Sequence, residues 1–126
     1  MTSAEDQLTI IGTVSRADDL ATARDADGYA ALYSTAGSIG GSEGDFVGRD
    51  GIRDGVTKVW ASEPQGTHHL TTTVSLEEID ANTVVARSTL LLVADGPFKI
   101  TGMAQIAQTF TRESSGWLIS RREIRS

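Results

Sequence analysis

Cysteine is absent from the 126 residues. That excludes disulfide frameworks, thiolate zinc sites, iron–sulfur clusters and cysteine nucleophiles at once. Histidine is nearly absent, and His68 and His69 are adjacent. Adjacent residues of a strand point to opposite faces, so the pair does not build a two-histidine metal site, and no metal is expected. Positive charge is scarce: Lys and Arg number 11 against 17 Asp and Glu, a formal net charge of -6. The resulting field repels phosphate backbones and anionic membrane surfaces. No basic cluster interleaved with aromatics offsets it, so nucleic acid is not an expected partner. The dense basic stretch Arg121, Arg122 and Arg125 alternates as a solvated strand face does. No apolar stretch reaches membrane-spanning length. The acidic start, Met1 to Asp6, lacks the basic residues and apolar run of a signal peptide, so a cytoplasmic location is expected.

What is present is one core's worth of apolar residues, 39% of the chain, in a length that suits a single domain over residues 1–126. From Ala4 to Arg24, Leu8, Ile11, Val14, Ala17 and Ala21 recur at helical spacing, although Leu8 to Val14 is also rich in β-branched residues. Asp25-Ala26-Asp27-Gly28 breaks this helix, and Asp27 is placed to cap a second one over Tyr29–Tyr33. Ser38 to Val47 reads as a glycine-rich hairpin. A third helix is expected from Asp50 to Ala61, with Ile52, Val56, Val59 and Trp60 buried, ended by Pro64 and Gly66. Four strands follow, Thr67–Ile79, Thr83–Ala94, Phe98–Arg112 and Trp117–Ile124, joined by short connectors with turn chemistry that favour an antiparallel meander. Helices first and long strands afterwards predict an α+β fold, a curved and mainly antiparallel sheet with three N-terminal helices packed on one face.

This order, with Ala23-Arg24-Asp25-Ala26-Asp27 before Leu32-Tyr33, Gly48-Arg49-Asp50-Gly51-Ile52, Thr67-His68-His69-Leu70 and Gly116-Trp117-Leu118-Ile119-Ser120-Arg121, resembles the NTF2-like superfamily and its SnoaL-like branch. The resemblance spans nearly the whole chain. It implies a cone enclosing one small organic molecule. The superfamily includes dehydratases, a dehydrochlorinase, steroid isomerases, polyketide cyclases, epoxide hydrolases and subunits without chemistry, and the fold alone does not choose among them. In the dehydratase and dehydrochlorinase members an Asp at the end of the first helix holds a His on the first long strand. Asp25 matches that Asp, and aligning the turn at Asn82 with those enzymes' acidic turn residue places His69, rather than His68, at the base position. The second catalytic His of scytalone dehydratases has no counterpart in Thr101-Gly102-Met103-Ala104-Gln105. The family also implies a homodimer through the outer sheet face.

The resulting expectation is a cofactor-independent lyase or isomerase, dehydratase- or cyclase-like, acting on a small oxygenated and largely apolar metabolite. His69 is the general base, Asp25 its orienting carboxylate, and Gln105 or Tyr29 a donor to substrate oxygen; Tyr29, Phe46, Trp60 and Met103 are candidate pocket walls. No cofactor is expected. The alternative is a non-catalytic small-ligand-binding or assembly protein with the same cone. His69, Thr71, Thr73 and Ser75 would share one strand face, and the dyad requires that face to point inward. The run Gly37–Gly44 lacks the ending of a phosphate loop and reads instead as a hairpin near the pocket mouth. Val85, Leu91 and Ile106 would serve a dimer interface if they faced outward.

Overall fold

The structure, a computed structural model, describes residues 2–42 and 44–126. Glu43, within the glycine-rich run, lies outside the described residues. Among them the element order is α1 (Ala4–Thr22), α2 (Ala26–Ala30), β1 (Tyr33–Gly41), β2 (Gly44–Val47), α3 (Gly48–Ala61), β3 (His68–Asp80), β4 (Thr83–Ala94), β5 (Lys99–Glu113) and β6 (Gly116–Arg125).

The start of α1 is fixed by a capping box. Ser3 Oγ accepts from the Asp6 backbone N–H, and the Asp6 carboxylate accepts from that of Ser3, so two otherwise orphaned donors are satisfied reciprocally. Its buried stripe is Ile10, Val14, Ala17, Leu20 and Ala21. The expected stripe was right at Val14, Ala17 and Ala21 and wrong at Leu8 and Ile11, which are exposed. A helix buries whichever face meets the sheet, and one step along the sequence turns a side chain by about 100°. The helix ends in a Schellman motif. The Asp25 N–H reaches Leu20 O and the Arg24 N–H reaches Ala21 O. Arg24 occupies the left-handed position at φ 61 that glycine usually fills. Asp25 is then the N-cap of α2, its side chain accepting from the Gly28 N–H at 2.9 Å. The cap is therefore Asp25 and not Asp27, and α2 begins at Ala26.

The six strands form one sheet in the order β2-β1-β6-β5-β4-β3. The four long strands are an antiparallel meander, as their connectors predicted, and β2 pairs antiparallel with β1. The exception is β1 against β6, which run parallel. Tyr33, Ile10, Ile52, Phe110 and Ile119 are fully buried between helices and sheet, and each such side chain contributes about 1.5–3 kcal/mol.

Two bulges change which residues face this interior. In β3 the register shifts between Thr72 and Ser75 around Thr73, whose φ is 53. Before the bulge His69 is buried while Leu70 is exposed; after it Val74 and Leu76 pack on the core. The polar face expected to continue inward to Thr73 and Ser75 thus stops at Thr71. In β6, Thr109 pairs with Arg121 but Phe110 pairs with Ile119, so Ser120 is the extra residue. Trp117 and Ile119 point inward, and the bulge hands the next inward place to Arg122 rather than Arg121. Arg122 is accordingly buried, not part of a solvated face. Ile106, considered for an outer interface, is also buried, in register with the buried Ser88.

Candidate functional site

A cavity of about 270 Å³ lies between α2, α3, the β1–β2 hairpin and the inner face of the sheet. Tyr29, Phe46, Val56, Trp60, Leu90 and Ile124 supply its apolar surface, and Glu63, His69 and Arg122 its charged and titratable groups. The hairpin contributes Gly41, Ser42 and Gly44 to the lining. Tyr29 and Trp60 meet edge to face at 5.2 Å, and Trp60 presents the same kind of contact to the His69 ring at 6.2 Å.

His69 is held from three directions. Its backbone N–H donates to Thr22 Oγ1 at 2.9 Å, at the last turn of α1. Its Nε2 lies 3.0 Å from Glu63 Oε1. Trp60 covers one side of the ring. Glu63 stands just beyond the end of α3, where Thr67 N and Oγ1 both bond Pro64 O and turn the chain into β3. The tight turn brings together two residues six apart in sequence. The same Glu63 oxygen also accepts Arg24 at 3.2 Å. Arg24 reaches it because its left-handed backbone directs the side chain back over the end of α1, where a second guanidinium nitrogen bonds Ala21 O. With Nε2 facing a carboxylate, Nε2 carries the proton, and Nδ1 has no hydrogen bond among the described residues.

The expected Asp25–His69 pair is not formed. Asp25 is exposed and borders a separate surface depression with Arg24, Asp27 and Arg53. Its carboxylate is committed to the cap of α2, and the Schellman turn points it away from β3. Glu63 makes the contact assigned to Asp25. Gln105 is likewise outside the cavity. It is exposed and takes a hydrogen bond from Thr89 at 3.2 Å on the outer face. Tyr29, Phe46, Trp60 and Met103 all border the cavity, although Met103 is 62% exposed and shares the outer strand face of Gln105, meeting the cavity only at its edge beside Gly102 and Ala104. His68 faces Asp95 at 3.7 Å on the other side of the strand.

Tyr33 Oη donates to Tyr29 Oη at 3.2 Å. A hydroxyl that accepts one bond must aim its own hydrogen elsewhere, and Tyr29 is the member of the pair that lines the cavity. Burial pushes the Tyr33 phenol well above its ordinary value of 10.0; neighbouring Tyr29 raises it further, while Arg122 opposes both. Asp18, on α1, accepts from Thr71 N at 2.8 Å and Thr71 Oγ1 at 2.9 Å, which fastens β3 to α1. Burial raises its carboxyl above 3.8, against the lowering effect of Thr71, Arg122 and His69.

The sheet face behind the cavity carries a polar group that the sequence reading missed. Gln108 and Arg122 are register partners on β5 and β6, 1% and 8% exposed, and Ser88 is buried beside them. Gln108 Oε1 and Nε2, Arg122 Nε and Ser88 Oγ have no hydrogen-bond partner among the described residues. Burial disfavours the Arg122 charge, but Tyr29, Tyr33 and Asp18 outweigh it, and the guanidinium is held above its ordinary value. Alternation hid Arg122 because the Ser120 bulge is invisible in sequence. Glu63 was legible only as part of a helix ending. Among the described residues no three His, Asp or Glu gather as a metal site requires.

The SnoaL-like domain profile matches residues 2–123. No functionally curated protein matches the chain in sequence. Among solved structures, a Nostoc punctiforme protein of unknown function with a cystatin-like fold superposes with a TM-score of 0.90 at 20% identity, over 97% of this chain and 91% of that one. An NTF2-like protein with a cystatin-like fold from Novosphingobium aromaticivorans gives 0.84 at 23% identity, over 95% and 80%. A Catenulispora acidiphila protein in complex with S-DNPA gives 0.83 at 17% identity, over 97% and 95%. At these identities the likeness is one of fold.

Proposed function

The chain belongs to the SnoaL-like domain family, and from that membership and the carboxylate-held imidazole in its cavity we propose a cofactor-independent lyase or isomerase acting on a small oxygenated molecule. The observation that carries the reading is the Glu63–His69 contact at 3.0 Å inside an otherwise largely apolar cavity. Glu63 fixes the tautomer and stabilises the imidazolium that forms, while Nδ1 is the base. A C–H bond beside a carbonyl breaks toward Nδ1, and the Tyr29 hydroxyl donates to the oxygen that gains charge. In an isomerisation the imidazolium returns the proton to another carbon. In an elimination the C=C bond forms as the C–O bond breaks, and the imidazolium protonates the departing oxygen, releasing water. Acid–base help of this kind contributes about 10²–10⁴ in rate.

Proton exchange is the direct test. A panel of small cyclic ketones and β-hydroxy ketones is incubated in D2O and followed by proton NMR. Loss of the signal beside the carbonyl is expected with the wild type, together with a drop of about 10²-fold or more for His69→Gln. If no ketone exchanges faster than in buffer, the acid–base reading is abandoned. The second reading, a non-catalytic small-ligand-binding domain, is favoured by one feature: the Glu63 oxygen is shared with Arg24, which diverts part of its charge from His69. In either case the row Leu70, Leu91 and Met103, in register across β3, β4 and β5, supports a homodimer through the outer sheet face.

A further inference from the structure

Arg122 is, among the described residues, a buried cation with no anion bound to it. Among the described residues no carboxylate lies within ion-pair distance of its guanidinium and no hydrogen bond reaches it. Of the described acids, the one that acts on it through space, Asp18, and the one that shares its cavity, Glu63, are spent elsewhere. Both Asp18 oxygens hold Thr71, and Glu63 Oε1 holds His69 and Arg24. A carboxylate or an amine in this position could shed its charge, but a guanidinium cannot. The usual answer to burying a charge, neutralisation, is therefore closed to it. Gln108 stands beside it in register, also without a partner on either amide atom. Unpaired buried polar atoms are rare in native proteins, and of these Arg122 is the one that faces the cavity.

We propose that Arg122, backed on the sheet by Gln108, forms an anion subsite that receives a carboxylate of the ligand. The guanidinium fork fits a two-oxygen acceptor, and Arg122 is the member of the pair that lines the cavity. The rest of the cavity wall, Trp60, Val56, Phe46 and Leu90, then suits an apolar body attached to that carboxylate. The ligand class is a small monocarboxylic acid with an aromatic or alicyclic body, its acid group against the sheet. The net negative charge of the protein makes it a poor trap for anions in general, so the preference resides in this buried guanidinium. The inference rests on reading the cavity as the ligand site and does not require His69 to be a base.

Binding is measured by Trp60 fluorescence and by thermal shift with benzoate, cinnamate and cyclohexanecarboxylate, each against its primary amide, with inorganic phosphate as competitor. The acids are expected to bind roughly tenfold or more tighter than the amides, as a charge-assisted buried hydrogen bond implies. Arg122→Met removes that preference. Arg122→Met also separates ligand binding from a structural role: the Arg122 charge is supported only through space by Tyr29, Tyr33 and Asp18, with no ion pair among the described residues, so without ligand the variant's Tm is expected to stay within about 3 °C of the wild type. A Tm lowered beyond that would mark Arg122 as a structural cation and overturn the assignment. So would equal binding of acids and amides, or a preference that survives in Arg122→Met. Displacement of the acids by equimolar phosphate would overturn the carboxylate assignment. His69→Gln keeps the acid preference while losing proton exchange, so failure of the catalytic reading and failure of this one give different results.

Discussion

Oε1 of Glu63 lies 3.0 Å from Nε2 of His69, and the side chains are 10% and 8% exposed. This contact is made within one short stretch of chain, across the turn from α3 into β3. Its local character makes it robust, since it depends on the Pro64–Thr67 turn rather than on long-range docking. It predicts that Glu63→Ala exposes the Nε2–H to rapid exchange, so its downfield proton NMR signal broadens away, while Asp25→Asn leaves the signal in place. Leaving a buried donor without its acceptor should also cost about 1–3 kcal/mol in urea unfolding. Loss of the signal in Asp25→Asn with retention in Glu63→Ala would return the orienting role to Asp25.

Asp6 ties the start of α1 to the far end of the meander. Its carboxylate receives Arg112 at 2.9 Å, Trp117 Nε1 at 3.1 Å and the Ser3 N–H at 3.2 Å, and Arg112 lies 4.5 Å over the Trp117 ring. Hydrogen bonds from Arg112 and Trp117, above all, hold its carboxyl far below the ordinary 3.8. A depressed carboxyl contributes stability that is present above its unfolded value and lost as pH falls through the folded one. The Tm difference between wild type and Asp6→Asn should therefore be fully present at neutral pH and shrink on acidification below about pH 4. A difference independent of pH would mean that the carboxylate charge contributes nothing.

Glycine substitutions on two helices should have opposite signs. At Gly12, in α1, an added Cβ meets nothing within 4 Å, so Gly12→Ala should gain about 0.5–1 kcal/mol from helix propensity. At Gly55, in α3, the same Cβ would stand 2.4 Å from the Phe46 ring. Overpacking of that kind costs about 1–3 kcal/mol, which exceeds the propensity gain. Gly55→Ala should thus unfold at lower urea and, because Phe46 lines the cavity, weaken ligand binding as well. A stabilised Gly55→Ala would show that the Phe46 ring moves freely.

The frame of this protein is legible in its local sequence pattern. The spacing of Val14, Ala17 and Ala21, the turn residues between the four long strands, and the position of Trp60 on the buried side of α3 each rest on local periodicity, and local periodicity is written in the chain. The order of these elements, with the motifs at 23–27, 48–52, 67–70 and 116–121, carried the likeness to the SnoaL-like branch, which the family match over residues 2–123 establishes. Asp25 shows the limit. Its place in the chain was right for a helix end, but whether a carboxylate there points to β3 or caps the next helix depends on the left-handed turn at Arg24. The interior of the cavity was decided by two bulges. A strand's side chains alternate with period two, so one extra residue at Thr73 or Ser120 inverts every assignment beyond it. That inversion turned Thr73 and Ser75 away from the inward-facing polar row and brought Arg122 in beside Gln108. Only the pairing of neighbouring strands fixes where such a residue is inserted, and so the polar floor of the site belongs to the tertiary structure.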